Sequence, residues 1–356
     1  MAWRFQPSKF KNTTPKVPKK EETIFDLPIG GLSCTNNGIQ SSASFLAFHI
    51  EGEGGKLGVL PLKTLGRRLR KDISIVCAHG DLVDDFSFLP FNENLLVTCS
   101  RDDKLKIWNC ENFGDLENAQ TIGDPFASID LGDGHLLDCL APHKTAGDIV
   151  AVASGERAMV VDIGAQKIIM EVSGAIERAQ AIDWSSDGKI LAISSNKGRN
   201  AHIFDPRASS KPIFDISIHS GLGREGRVIF TDDKLVSSGF TNKRVQELQL
   251  FDHRDWTKKI HAEEFSSTTG VLIPLYDADT KLLFLAGKGT NIFTTAEIQE
   301  KNPILSRVHE QPLNDQLLGA CLMNKRSCDV MSGEVQKFFQ LTKNSIIPFP
   351  CIVPRR

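Results

Sequence analysis

Residues 78–108, AHGDLVDDFSFLPFNENLLVTCSRDDKLKIW, carry the pattern that decides the fold. Three short runs rich in apolar residues, at 84–89, 95–100 and 104–108, are separated by turn residues. The first turn is Pro90 to Asn94 and the second is Arg101-Asp-Asp103. Runs of five or six residues bounded by such turns predict consecutive β-strands.

The ending of this stretch recurs along the chain. Ile-Trp-Asn ends at 109, Val-Val-Asp at 162, Ile-Phe-Asp at 205 and Leu-Phe-Asp at 252, so the final residues are 53, 43 and 47 positions apart. A period of about 40 to 50 residues with four short strands per unit is typical of a β-propeller of WD repeats. The 356 residues hold seven units of about 45 residues. We therefore predict an all-β, seven-bladed β-propeller with a short C-terminal extension packed on it.

The same spacing predicts the limits of the parts. Residues 1–29 form a basic N-terminal segment that adds a strand to the last blade and closes the propeller. The propeller itself occupies 30–345, with blades near 30–76, 77–125, 126–173, 174–217, 218–262, 263–302 and 303–345. Residues 346–356, which are rich in proline, form an extended C-terminal tail.

Four polar or aromatic side chains of the first stretch fall where WD repeats place a hydrogen-bonded network. They are His79, Thr98, Asp102 and Trp108. A buried imidazole that links a turn aspartate to a hydroxyl and an indole N–H satisfies all four groups and fixes the blade. We interpret these residues as a structural network and not as catalytic groups.

The charge is unevenly distributed. The chain has 42 basic and 44 acidic residues, but residues 1–20 and 63–71 hold eleven basic residues and no acidic one. The remainder of the chain therefore has a net charge of −13. Such asymmetry favours partners with acidic surfaces, although solvated basic segments without a partner are the alternative. The candidate interface residues are Lys9, Lys11, Lys16, Lys19, Lys20, Lys63, Arg67, Arg68, Arg70 and Lys71.

No motif supports catalysis, a cofactor or a metal. The sequence has no Gly-x-Ser-x-Gly, no His-Glu-x-x-His and no complete phosphate-binding loop, and Gly287-Lys-Gly-Thr290 is better read as a turn. The eight cysteines never occur as Cys-x-x-Cys and are interpreted as reduced, mostly buried thiols. We expect a protein without enzymatic activity.

The sequence also bears on nucleic-acid binding, on membrane insertion and on the oligomeric state. Neither basic cluster is interleaved with aromatic residues, so we expect no nucleic-acid binding. No run approaches 18 apolar residues and no signal peptide is recognisable, so we expect a cytoplasmic protein without a transmembrane segment. Without a heptad segment we expect a monomer.

Several segments resemble the coronin family more closely than WD repeats in general. They include Asp183-Trp-Ser-Ser-Asp-Gly188, Ile203-Phe-Asp-Pro-Arg207, Thr269-Gly-Val-Leu-Ile-Pro274, Leu285-Ala-Gly-Lys-Gly-Thr290 and the final Val353-Pro-Arg-Arg356, with Ser8-Lys-Phe-Lys11 at the other end. The match covers essentially the whole chain. Ser41-Ser-Ala-Ser44 and Val330-Met-Ser332 are most similar to the long coronins with two propellers in tandem, of which this chain would be the first propeller.

The resemblance implies a function. Coronins bind filamentous actin and organise actin networks, and the long members are also linked to Golgi traffic and cell polarity, so the expected location is the cytoskeleton, with the Golgi or the cell cortex as further sites. Microtubules and anionic membrane surfaces are alternative acidic partners. Short coronins place an arginine associated with actin binding at the register position of Pro28, so an actin site here would rest on the basic clusters.

Two further interpretations remain open at this stage. A peptide-binding adaptor in Golgi trafficking or ubiquitin ligation, without actin contact, does not need the basic clusters. A hydrolase in the propeller channel would need ionisable groups that converge there.

Overall fold

The chain folds into seven mainly antiparallel sheets arranged as the blades of a propeller, as seen in a computed structural model. The structure describes residues 8, 10, 12–31, 36–132, 136–173, 176–221, 225–265 and 270–354. Within these ranges the helical elements are short 3-10 turns. They span Lys20–Glu22, Arg70–Asp72, Glu111–Gly114, Lys325–Ser327 and Val330–Ser332.

The strands are mostly four to eight residues long. In chain order they are β1 (Thr14–Pro15), β2 (Ile24–Phe25), β3 (Ile39–Ser41), β4 (Phe45–His49), β5 (Gly55–Pro61), β6 (Gly66–Arg67), β7 (Ser74–His79), β8 (Val83–Leu89), β9 (Asn92–Ser100), β10 (Lys104–Asn109), β11 (Thr121–Ile122), β12 (Ala127–Asp130), β13 (Leu137–Pro142), β14 (Ile149–Ser154), β15 (Arg157–Asp162), β16 (Lys167–Ser173), β17 (Ala181–Trp184), β18 (Leu191–Ser195), β19 (Asn200–Phe204), β20 (Phe214–Ser217), β21 (Arg227–Phe230), β22 (Lys234–Phe240), β23 (Gln246–Asp252), β24 (Asp255–Glu264), β25 (Leu272–Asp277), β26 (Leu282–Gly287), β27 (Ile292–Ile298), β28 (Leu305–Pro312), β29 (Gly319–Leu322), β30 (Glu334–Leu341) and β31 (Ser345–Ile352).

Each blade is a meander in which successive strands pair from the propeller axis outward. The first blade is β3-β4-β5-β7, and the second is β8-β9-β10-β12. The next four blades are β13 to β16, β17 to β20, β21 to β24 and β25 to β28. The seventh is β29-β30-β31 with β2 as its fourth strand. The prediction of a seven-bladed, all-β propeller is therefore confirmed.

The seventh blade is built from both ends of the chain. Ile24 pairs with Ile346 and Phe25 with Ser345, so β2 completes this sheet antiparallel to β31. The two-residue strand β1 also pairs with β31. On the far side of β2, the strand β6, which follows the third strand of the first blade, adds a short parallel pairing. The ring is thus closed by main-chain pairing between segments from opposite ends of the sequence.

Blade limits differ from the expected ones at several places. The expected limit at 302 falls in the turn between β27 and β28, because that turn resembles a connection between blades in sequence. Residues 346–352 of the expected tail lie within β31, so the last blade extends to Ile352. In the first half, β12 belongs to the second blade although residues 127–130 were expected in the third.

The apolar core is divided into layers between neighbouring blades. One cluster joins β4, β5 and β7 to β8, β9 and β10, and the buried side chains of Phe86 and Trp108 lie inside it. Between the sixth and seventh blades, the rings of Phe293 and Phe338 stack with centroids 4.3 Å apart. Both rings are fully buried. Because each sheet packs on two neighbours, every blade depends on the closed ring for its full burial.

Candidate functional site

The structure brings together the four side chains predicted to form a network. His79 Nδ1 lies 2.9 Å from the Asp102 carboxylate, and His79 Nε2 lies 2.8 Å from Thr98 Oγ1. The indole nitrogen of Trp108 donates to Thr98 Oγ1 at 3.0 Å. His79 ends β7 of the first blade and the other three residues belong to the second, so the network fastens two blades together.

The direction of each hydrogen bond follows from the partners. Asp102 accepts a hydrogen bond from His79 Nδ1–H, so Nε2 of the neutral ring accepts one from the Thr98 hydroxyl, and the oxygen of that hydroxyl accepts one from the Trp108 N–H. Burial lowers the pKa of His79, against the opposing effect of Asp102. Both ring nitrogens, the hydroxyl and the indole N–H are used within the network, which leaves none of them for a substrate.

A second hydrogen-bond network centred on a histidine, which the sequence analysis did not predict, lies in the fourth blade. Ser195 Oγ is 2.6 Å from His202 Nε2, and His202 Nδ1 is 2.5 Å from Asp215. The order Ser, His, Asp is that of a hydrolase triad. However, Ser195 and His202 are buried, so a substrate has no access to the hydroxyl, and the network stabilises the blade. The signal in the sequence was a serine that is followed by a histidine on the next strand.

Several ionisable side chains of the central channel take part in local hydrogen bonds. A cavity of about 340 Å³ is lined by inner strands of several blades. In it, Lys144 Nζ is bonded to Asp183 at 2.8 Å, and the Asp85 carboxylate accepts the N–H groups of Phe86 and Leu140. Burial raises the pKa of Asp85 to about 6. Within the described ranges, no group of three or more His, Cys, Asp or Glu side chains is arranged to hold a metal ion.

The two basic clusters, separated in sequence, meet at the junction between the seventh and first blades. The parallel pairing of β2 with β6 joins them, because Gly66 N–H donates to Thr23 O at 2.8 Å and Arg68 N–H to Phe25 O at 2.9 Å. We call residues 16–26 together with 63–72 the basic edge. It contains eight basic and four acidic residues, a net charge of +4.

Most of the predicted interface residues are accessible on the basic edge. Lys16, Lys19, Lys20, Lys63, Arg67, Arg70 and Lys71 are exposed and Arg68 is half-buried. Lys9 and Lys11 lie outside the described residues. Three large apolar side chains lie exposed among these cations: Val17, Leu65 and Leu69. The edge therefore combines positive charge with apolar surface.

Local hydrogen bonds shape the basic edge. Arg67 Nε forms an ion pair with Asp26 at 2.6 Å, and both side chains are well exposed. Glu22 accepts the N–H of Lys19 at 2.8 Å, and this bond lowers the pKa of its carboxyl group. The Lys20 ammonium lies 5.1 Å from the centroid of the Phe25 ring. The acids of the edge thus order its backbone, while most of the cations remain directed to solvent.

Pro28, the position at which the resemblance to short coronins predicts an arginine, lies beside this edge. Its carbonyl accepts the N–H of Glu51 at 2.8 Å, and the carbonyl of Glu51 accepts Arg70 Nη1 at 2.6 Å. The Arg70 guanidinium is therefore linked to Pro28 through the backbone of Glu51, across the junction between the two blades. This contact could not be read from the sequence, because it links positions that lie far apart along the chain.

Sequence comparison relates the chain to known proteins. Residues 3–67 match a family model described as a domain of unknown function, DUF1899. The chain is 33% identical to Coronin-7 of Bos taurus over 362 residues, which cover 99% of this chain and 38% of that protein. It is 26% identical to Coronin-A of Dictyostelium discoideum, covering 98% of this chain and 77% of that protein. The chain thus spans well under half the length of Coronin-7.

Comparison with solved structures supports the fold. The crystal structure of the WD40 domain of a Toxoplasma gondii coronin superimposes with a TM-score of 0.86 at 20% identity, covering 96% of this chain and 89% of that one. No helix in the described ranges is long and apolar enough to cross a membrane. The motifs, the two kinds of relative and the propeller agree, and the resemblance to the coronin family noted in the sequence is confirmed over nearly the whole chain.

Proposed function

We propose that this propeller is a non-enzymatic interaction platform of the actin cytoskeleton that binds filamentous actin through the basic edge and helps to organise actin networks. The observation that carries the proposal is the pairing of β2 with β6, which assembles two distant basic clusters into one surface. Similarity to the coronins supports actin as the acidic partner.

Electrostatics supports the choice of surface. Outside residues 1–20 and 63–71 the chain has 31 basic and 44 acidic residues, so most of the molecule repels an acidic filament. A net positive edge on an acidic body orients the encounter and raises the association rate. Exposed Val17, Leu65 and Leu69 add apolar area that desolvates on contact, which supplies affinity that salt does not screen.

The absence of an arginine at Pro28 is compatible with an actin site on the basic edge. An actin site that lacks this arginine needs another guanidinium nearby, and Arg70 is held next to Pro28 through Glu51. Binding then depends on the loop between β5 and β7 and not on the N-terminal segment alone. A role in cell polarity or membrane traffic would follow from the actin network that the platform organises.

Co-sedimentation with filamentous actin, at about 20 mM and about 150 mM salt, tests the proposal. The screening length falls from roughly 20 Å to about 8 Å between these conditions, so pelleting should weaken as salt rises. The test variant changes Lys19, Lys20, Lys63 and Lys71 to glutamate, because all four are exposed. We expect this variant to remain in the supernatant at both salt concentrations.

A matched variant controls for net charge. Lys211, Lys243, Lys258 and Lys301 are also exposed, on the fourth to sixth blades, and their change to glutamate alters the charge by the same amount. This control should pellet nearly as well as the unchanged chain. Equal loss in both variants, or no pelleting of the unchanged chain at either salt, would contradict an actin site at the basic edge and would favour the adaptor function.

A further inference from the structure

A second surface, away from the basic edge, has the shape of a binding groove. It lies between the third and fourth blades and encloses about 220 Å³. Its lining is mostly apolar and includes Ile149, Val160, Met170 and Trp184. Val160 and Trp184 belong to the core between these blades, so the groove is an open continuation of that core.

An irregularity in the outer strand creates one rim of the groove. Val160 pairs with Met170 and Val161 with Ile168, so Ile169 is the extra residue of a β-bulge in β16. Bulges redirect side chains at functional positions. Ile169 lines the groove and is 47% exposed, and its neighbour Ile168 is 38% exposed. Two consecutive isoleucines are thus left partly in water at the edge of a sheet.

The opposite wall is rigid. It is formed by Gly188 and Lys189, which follow the Asp183-Trp184 pair, and by Pro206 and Arg207. Gly188 has φ of 70°, and a β-carbon there would clash with the imidazole of His143. His143 is fixed in turn, because its Nε2 donates to Gly188 O at 2.9 Å and its ring lies 4.6 Å from that of Trp184. The groove is therefore formed before any partner binds.

The charged groups of the lining have one sign. Lys189 and Arg207 both line the groove, whereas no acidic residue of the described ranges does. Their side chains are 60% and 64% exposed, and each reaches an aspartate outside the lining, Asp187 and Asp205 respectively. The imidazole of His143 uses both ring nitrogens locally, since Nδ1 accepts a backbone N–H at 2.9 Å. The two cations thus define the electrostatic preference of the groove.

We propose that this groove binds a short extended peptide segment of a partner protein, in which one bulky apolar side chain is flanked by carboxylates. A volume of about 220 Å³ accommodates a single leucine or phenylalanine side chain and is too small for an amphipathic helix. The apolar side chain would lie over Met170 and Trp184, and the carboxylates would face Lys189 and Arg207. The site is independent of the basic edge, which belongs to the seventh and first blades.

Methyl NMR with two synthetic peptides tests the proposal. The chain is labelled at isoleucine and methionine methyl groups and titrated with acetyl-Gly-Glu-Phe-Glu-Gly-amide, or with the same peptide carrying lysine in place of both glutamates. We expect the acidic peptide to shift the methyl signals of Ile149, Ile169 and Met170. Ile292 and Met331, which are exposed on other blades, serve as internal controls and should not shift.

Paired variants test the charge preference and the shape. Lys189→Gln and Arg207→Gln should each weaken the acidic peptide about fivefold, the effect of one ion pair near 4 Å in water. Changing the exposed Lys243 and Lys258 to glutamine is the matched control and should leave the affinity unchanged. Equal shifts with both peptides, shifts of Ile292 and Met331 as large as those in the groove, or no shift with the acidic peptide would each overturn the proposal.

Discussion

Replacing Thr98 with valine isolates the hydrogen-bonding role of a single buried atom. Thr98 is fully buried, and its hydroxyl donates to His79 and accepts from Trp108. Valine has nearly the same shape, so Thr98→Val removes both bonds without opening a cavity. One buried acceptor, His79 Nε2, and one buried donor, the Trp108 N–H, are left without a partner.

The expected loss of stability follows from these two atoms. A buried polar group without a partner costs about 1–3 kcal/mol, so the free energy of unfolding should fall by about 2–6 kcal/mol. Thr98→Ser is the control, because it keeps the hydroxyl and removes one methyl group. Serine should cost only about 1 kcal/mol, the transfer free energy of a buried methylene-sized group.

Urea unfolding provides the measurement. Tryptophan fluorescence and far-ultraviolet circular dichroism must give coincident transitions before a free energy is derived. The losses in the free energy of unfolding for Thr98→Val and Thr98→Ser are compared with each other, because both variants change the same site. If Thr98→Val were less destabilising than Thr98→Ser, the hydroxyl would not hold the two blades together and the argument for the network would fail.

Three other changes have defined outcomes. Burial lowers the pKa of His49 from its usual 6.5 to about 4, so between these pH values the unfolded chain binds a proton that the folded chain does not. The free energy of unfolding should therefore fall by about 1.4 kcal/mol per pH unit as the pH drops from 6.5 to 4. Urea titrations should show that His49→Gln removes this loss. Gly188→Ala should lower the melting temperature more than Gly155→Ala, because both glycines have positive φ but only the first meets another side chain, and equal shifts would contradict this. Ile24→Ala in the closing strand should cost about 2–5 kcal/mol in chemical unfolding, whereas Val17→Ala, 55% exposed, should stay within about 0.5 kcal/mol.

Local patterns in the sequence were sufficient for most of the fold. Alternating apolar residues and tight turns mark β9 and β10, and the spacing of His79, Thr98, Asp102 and Trp108 follows from the geometry of one blade. In the last two blades the third strands, β27 and β31, end at Ile298 and Ile352 and not in the aspartate or asparagine found at or just after the end of the third strand in the second to fifth blades. Without that mark, a turn within a blade and a connection between blades have the same composition, which explains why the expected limits of the last two blades came too early.

The candidate site depends on contacts that spacing does not encode. Each basic cluster is visible in the sequence, but their union requires β6 to leave its own blade and pair with β2. The groove likewise depends on the bulge at Ile169, a one-residue irregularity without a compositional signal. In both cases the surface is determined by how backbone groups of two strands pair, and this pairing could not be predicted from the pattern of side chains in the sequence.

Closure of the ring by β2 and β31 has a consequence for the timing of synthesis. Ile24 leaves the ribosome early, whereas its partner Ile346 is made near the end of this propeller, so β2 must wait for its blade while the intervening sheets emerge. Pairings between such distant residues form slowly, since the loop must close before the contact is gained. An incomplete nascent chain therefore lacks the seventh blade on which the basic edge is mounted. Under the proposed function, filament binding through the basic edge would therefore require that the ring has closed.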